Sequence, residues 1–183
     1  IIFKIILIII NYYMKFAIYG PMCSGKTTIA NIIQSKNKDY EIFSFGGRIK
    51  ELAKELFDMK NKDRSLLINI ASKMREIDED VWAKYVINQT KDKEFCIIDD
   101  LRFQNELNYL EGWKIICLTT PINVRKERIK ELYPDNYEDH YKNMGHLSET
   151  GILKFPSESK ILYLSTDIPF EVLEGIIIKE LEL

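Results

Sequence analysis

Eight consecutive residues restrict this chain to a small set of architectures: Gly20-Pro21-Met22-Cys23-Ser24-Gly25-Lys26-Thr27 fits G-x-x-x-x-G-K-[ST]. The apolar run Phe16-Ala17-Ile18-Tyr19 precedes it, and a helical pattern with Ile29, Ile32 and Ile33 on one face follows it. The motif therefore sits between a strand and a helix, where a phosphate-binding loop has to sit. Gly20 and Gly25 let the backbone turn and bring its N–H groups to phosphate oxygens, and the helix N-terminus adds positive potential. Lys26 is placed to reach the β- and γ-phosphates of a nucleotide, and Thr27 to offer its hydroxyl to Mg²⁺. With Ser24 and Thr28 these residues make up the expected nucleotide-binding set: Gly20, Ser24, Gly25, Lys26, Thr27 and Thr28.

Beyond the loop, short apolar runs alternate with amphipathic stretches, the pattern of βα units around a mostly parallel sheet. Strands are predicted at residues 16–19, 41–45, 95–98, 113–118 and 161–164. Helices are predicted from Lys26, around residues 49–57, over 63–77 and 81–87, over about 123–132, and from Pro169. The segment of about residues 46–90 reads as a helical insert. Residues 134–151 read as a polar loop without apolar periodicity, so a lid is expected over about residues 121–151. Trp82, Phe45 and Tyr85 could stack on a nucleobase, yet aromatics at helical spacing are more often core, and they are read so here.

Composition narrows the partners. Twenty-six basic residues against 28 acidic ones give a net charge of −2, which argues against a broadly basic nucleic-acid binder, so anionic ligands must be met locally. Cys23, Cys96 and Cys117 are unpaired in pattern and suit a reducing, cytoplasmic setting. The apolar run of residues 1–10 is too short to span a bilayer and lacks the flanks of a signal peptide. We expect residues 1–13 to be an extension outside the fold, with the domain running from Met14 to the end. The Ile, Lys, Asn and Tyr bias suits an AT-rich coding sequence of the kind common in large DNA viruses, for which the setting would be the host cytoplasm.

A carboxylate partner for Mg²⁺ should close a buried strand, and Asp99-Asp100 follow such a run. Adjacent strand residues point to opposite sides, so only one of the two faces the metal.

The stretch Ile98-Asp99-Asp100-Leu101-Arg102-Phe103-Gln104-Asn105-Glu106 resembles the D-x-R-F-x-N-E signature of phage and large-virus deoxynucleoside monophosphate kinases. Residues 45–57 resemble that family's aromatic-small-x-x-x-K-x-x-A segment, with Lys50 at the lysine, and His146-Leu147-Ser148-Glu149 resembles its H-x-S-E element. The resemblance implies transfer of the γ-phosphoryl of ATP, with Mg²⁺, to a deoxynucleoside monophosphate. It implies Asp100 as the metal carboxylate beside Thr27, and Arg48, Lys50, Arg102, Glu106, His146 and Glu149 as the acceptor-binding set. A monophosphate acceptor is ionised near neutral pH and needs no general base, so the chemistry calls for cations that bring two polyanions together.

Arg48 and Lys50 open a helix, the end where cations are disfavoured, which a role in acceptor binding would explain. Arg125 and Arg128 lie three apart on the helix entering the lid and are the candidates for closing over the phosphates alongside Lys26 and Arg102. Arg64 and Arg75 flank an apolar run; they could meet the acceptor's base or phosphate, but residues so placed are more often on the surface, and they are left outside the expected set. The sequence thus predicts an α/β phosphate-binding-loop kinase: a parallel sheet of about five strands with helices on both faces, a helical acceptor insert and a short lid. Its partners would be small-molecule nucleotides, with no stable nucleic acid and no membrane; a homodimer is left open. The alternatives are another small-acceptor kinase of the same fold, or a regulatory nucleotide-binding module.

Overall fold

The computed structural model describes residues 15–183, so the expected extension at residues 1–13 lies outside it. Strands β1 (Lys15–Tyr19), β2 (Glu41–Phe43), β3 (Cys96–Leu101), β4 (Lys114–Thr119) and β5 (Ile161–Ser165) form one five-stranded sheet in the order β2-β3-β1-β4-β5. Every pairing is parallel. Helices α1 (Lys26–Lys36), α2 (Gly47–Phe57), α3 (Arg64–Ile77), α4 (Val81–Thr90), α5 (Gln104–Asn108), α6 (Ile122–Leu132), α7 (Tyr137–Lys142), α8 (Leu147–Thr150) and α9 (Phe170–Leu181) complete the described chain. Among the described residues, no helix is long and apolar enough to cross a membrane.

Strand alternation divides the core. Phe16, Ile18, Ile97, Ile116 and Leu118 face one side and pack with Ile29, Ile33 and Ile177 of α1 and α9. Ala17, Cys96, Ile98, Ile115 and Cys117 face the other side and meet Val86 of α4 and Leu107 of α5. Both faces are covered, which is why the strands read as continuous apolar runs. Each fully buried isoleucine contributes roughly 2 kcal/mol through removal of apolar surface from water. A third cluster belongs to the insert: Ile49, Ala53, Leu67, Ala71 and Trp82 pack together. The Trp82 indole donates to the Ala71 carbonyl at 3.2 Å, which fixes α4 against α3. Tyr85, expected in the core, is instead 42% exposed on the outer face of α4.

The structure departs from expectation in several places. Strand β2 stops at Phe43 rather than Phe45 because the next backbone groups turn away to meet a carboxylate of β3: Phe45 N–H and Gly46 N–H both donate to Asp100. Strand β3 in turn runs on through both aspartates to Leu101. Helix α5 has no apolar periodicity to announce it. The buried Glu106 caps it, accepting from Arg102 N–H at 2.9 Å and Phe103 N–H at 3.0 Å.

The predicted polar loop of residues 134–151 is helical for much of its length, in α7, a 3₁₀ turn at Asn143–Gly145 and α8. Its polar residues are spent on docking. Asp139 accepts from Arg64 N–H at 2.7 Å and from the Ser65 hydroxyl at 2.6 Å, so it supplies a cap to α3 from another part of the chain. Asn136 donates to the Lys62 carbonyl at 2.6 Å, and the Tyr133 ring stacks on buried His140 at 4.0 Å.

Candidate active site

The C-terminal ends of β1 and β3 open into a cavity of about 500 Å³, with the Gly20–Thr27 loop as its floor. Gly20 has no room for a side chain: a Cβ there would lie 2.7 Å from Ser24 Oγ and 3.0 Å from Leu118 Cβ. Gly25 sits at φ +93°, a conformation open to glycine and strained for other residues. Lys26, only 8% exposed, folds back on the loop and donates to the carbonyls of Gly20 and Pro21 at 2.7 and 2.8 Å. Burial, reinforced by the charge of Arg102, pushes its ammonium down to about 7. Ser24, Gly25, Lys26, Thr27 and Thr28 line the cavity, while Gly20 lies beneath it and shapes the turn.

The two aspartates make different contacts, and the one against the loop threonine is Asp99 rather than the expected Asp100. Thr27 Oγ1 donates to Asp99 Oδ2 at 3.0 Å, so Asp99 is the carboxylate beside the loop threonine. Asp100 lines the cavity as well, but its carboxylate accepts from the Ser44 hydroxyl at 2.7 Å and from the N–H groups of Phe45 and Gly46 at 2.7 and 2.8 Å. It anchors the start of α2, where a negative charge complements the helix dipole. Burial and the neighbouring Asp100 both raise the Asp99 carboxyl above its ordinary value. A hydroxyl and a carboxylate side by side are the hard oxygen donors that suit Mg²⁺.

Of the expected acceptor residues, Lys50, Arg102, Glu106 and His146 line the cavity. Arg48 does not: it pairs with Glu51 and Glu55 on the solvent stripe of α2, two positions round the helix from Lys50. Glu106 presents Oε1 to Arg75 at 3.5 Å while its other oxygen caps α5. Burial and Asp100 push its carboxyl up to about 7. His146 accepts from Ser148 N–H through Nδ1 at 3.1 Å, capping α8. Glu149 is a further correction, for its side chain has no exposed surface with which to meet a ligand. It accepts from Met22 N–H at 2.5 Å and from Arg64 and Arg102. Burial raises its carboxyl, yet Arg102, Arg64 and Lys26 outweigh that and hold it below the usual range.

The lid arginines also part company. Arg128 lines the cavity and donates to the Thr166 carbonyl at 2.7 Å and the Cys23 carbonyl at 3.3 Å, so it ties α6 to the loop and to the end of β5. Arg125, three residues earlier, is not among the residues that line the cavity, and its buried Nε and Nη1 have no partner among the described residues.

Sequence reasoning passed over three cavity residues. Arg64 and Arg75, read as surface, both line it, as does Lys62, for which no motif spoke. Arg75 lies over the Phe103 ring at 4.3 Å. Lys62 donates to the Tyr133 hydroxyl at 2.9 Å, and burial, then the nearby Arg64, lowers its ammonium. Lys26, Lys62, Arg64 and Arg102 thus crowd one end of the cavity, with Glu149 set among them. Such a concentration in a chain of slightly negative net charge has the chemistry that suits a polyanion.

A parallel five-stranded sheet with a glycine-rich loop between β1 and α1, Asp99 beside Thr27 and this cationic end define a P-loop α/β protein of the kinase fold. The AAA domain family matches residues 17–144, and the chain belongs to that family. The adenylate kinase of Pyrobaculum aerophilum is 32% identical over 79 residues, covering 43% of this chain and 40% of that protein, so the chain spans about two-fifths of the length of this relative. Among solved structures, a gluconokinase from Sinorhizobium meliloti 1021 has a similar fold with a TM-score of 0.60 at 13% identity, over 93% of each chain. Deoxyadenosine kinase from M. mycoides with bound dATP has a TM-score of 0.56 at 17% identity, over 93% of this chain and 100% of its own.

Proposed function

We propose that the protein is a nucleoside monophosphate kinase that transfers the γ-phosphoryl of ATP to a deoxynucleoside monophosphate, giving ADP and the diphosphate. The observation that carries this reading is the single cavity in which the phosphate-binding loop faces Lys62, Arg64 and Arg102, contributed by the insert and the segment after β3. Two phosphorylated ligands can meet there. The stretch of likeness to an adenylate kinase supports an acceptor of nucleotide type.

The state of the carboxylates favours a phosphate over a hydroxyl as acceptor. A hydroxyl nucleophile calls for a base among the cavity carboxylates: Glu149 is saturated by arginines and a backbone N–H, Asp100 is held by Ser44, Phe45 and Gly46, Asp99 is engaged by Thr27, and Glu106, though raised to about 7, spends one oxygen capping α5 and presents the other to Arg75. A monophosphate dianion brings its own ionised oxygen. Thr27 and Asp99 would hold Mg²⁺, which when bound would supply charge neutralisation for the transferring phosphoryl group. Lys26 then exchanges its loop carbonyls for phosphate oxygens. Lys50, Arg64 and Arg102 hold the acceptor phosphate, while Arg128 fixes α6 over the donor side. Ile168 and Phe170 offer an apolar wall there, and Phe45, Ile49 and Leu67 offer one on the insert side, each suited to a base.

The test is ADP formation from ATP and Mg²⁺ with each of dAMP, dCMP, dGMP and dTMP and their ribose counterparts, with Lys26→Ala as the blank. Release that depends on one or more monophosphates is the expected result. Release with gluconate or a nucleoside alone, or none in any mixture, defeats the reading.

A further inference from the structure

We infer that Glu149 is a positioning residue: it sets the spacing of the Arg64 and Arg102 guanidinium groups for the acceptor phosphate and does so from beneath them, without touching the nucleotide. The inference deepens the kinase reading and rests on it.

One oxygen, Oε1, accepts from Arg64 Nη2 and Arg102 Nη1 together, and the other accepts from Met22 N–H at 2.5 Å. The Glu149 side chain is 0% exposed, whereas those of Arg64 and Arg102 keep 12% and 17% on the cavity side. Two guanidinium groups drawn to one oxygen repel each other unless an anion lies between them. Glu149 supplies one negative charge against their two positive charges, leaving an unmatched charge with Lys26 and Lys62 close by. Arg64 Nε is buried and has no partner among the described residues. The pair is therefore assembled but not satisfied, and a phosphate dianion is the ligand that completes it.

The position of Glu149 in the chain gives the arrangement its reach. It belongs to α8, Arg64 opens α3, Arg102 follows β3 and Met22 lies in the phosphate-binding loop. A carboxylate that met substrate directly would repel its phosphate. Placed underneath, it lets two arginines from separate elements approach one anion at a fixed separation, with less reorganisation during transfer.

Steady-state kinetics of the wild type, Glu149→Gln, Arg102→Ala and the double variant test this. Glu149→Gln is expected to raise KM for the accepted monophosphate and to lower kcat, each by about tenfold, while KM for ATP moves by less than about twofold. In the Arg102→Ala background the same substitution is expected to cost less than about threefold in kcat/KM, because its effect passes through that arginine. An equal factor in both backgrounds overturns the inference. So does a fall in apparent kcat with both KM values unchanged, the signature of a smaller folded fraction. Glu149→Asp guards against a folding failure: it keeps the charge but shortens the reach, and should raise acceptor KM at near wild-type thermal stability. Unchanged acceptor KM in Glu149→Asp also counts against the inference. A wild type that phosphorylates no monophosphate removes the kinase reading itself, whereas an active wild type with indifferent Glu149 variants removes this inference alone.

Discussion

Thr27 Oγ1 donates to Asp99 Oδ2 at 3.0 Å, joining the first turn of α1 to the end of β3 across the floor of the cavity. Asp100, the next residue, closes the start of α2 through Ser44, Phe45 and Gly46. Strand alternation thus sends one carboxylate to the phosphate-binding loop and its neighbour to the insert.

The two aspartates should separate in variants. Asp99→Asn is expected to raise the Mg²⁺ concentration for half-maximal turnover by about tenfold or more, with little change in stability. Asp100→Asn is expected to leave the Mg²⁺ requirement unchanged and to cost about 2 kcal/mol, since an amide cannot accept all of the hydrogen bonds the carboxylate holds. Mg²⁺ titration of turnover and urea denaturation read the two effects, and the reverse pattern would return the metal role to Asp100.

Lys26→Ala should reduce kcat by about a thousandfold. The fold should survive, because the ammonium bonds only to carbonyls of its own loop, those of Gly20 and Pro21. Near-UV circular dichroism alongside the ADP assay checks both halves, and turnover within tenfold of wild type would be the contrary result.

Arg64 and Arg48 make a matched comparison, since both lie in the insert and only Arg64 lines the cavity. Arg64→Ala should lower kcat/KM for the acceptor by about a hundredfold, and Arg48→Ala by less than about twofold. Comparable losses from both would mean that the cavity does not hold the acceptor phosphate.

Glu106 should leave a mark on the pH dependence of stability. Its folded-state carboxyl is raised to about 7 by burial and by Asp100, above the ordinary value of 4.5 it regains on unfolding. Between those values the folded state binds the extra proton, so stability falls as pH rises from about 4.5 to 7, by of order 3 kcal/mol through this group. Glu106→Gln keeps an acceptor oxygen for the N–H groups of Arg102 and Phe103 and should flatten that slope. Urea denaturation at pH 5 and pH 7.5 measures it; an unaltered slope in the variant would contradict the assignment.

The phosphate-binding loop, the sheet and the insert were legible because each is written locally, as a spaced motif or as an apolar period. What the sequence obscured was phase and distance. Arg48 and Lys50 are both basic residues at the start of α2, and the turn per residue, which no composition reveals, sends one to solvent and the other to the cavity. For Asp99 and Asp100 the two-residue period of a strand says that the pair diverges but not which of them meets the loop threonine. Arg64 and Lys62 gain their place from the docking of Asn136 and Asp139, more than seventy positions away in the chain. No local pattern carries that information. Glu149 was picked out by resemblance, but its burial beneath the arginines could be seen only in three dimensions.

The account turns on where the γ-phosphoryl goes. ATP labelled at the γ-phosphate, incubated with the protein, Mg²⁺ and each deoxynucleoside monophosphate in turn, answers this when the products are separated by chromatography. The account predicts label in a deoxynucleoside diphosphate in step with ADP, and none with Lys26→Ala. Label found only in inorganic phosphate, or at the 5′ position of an added nucleoside, would contradict it.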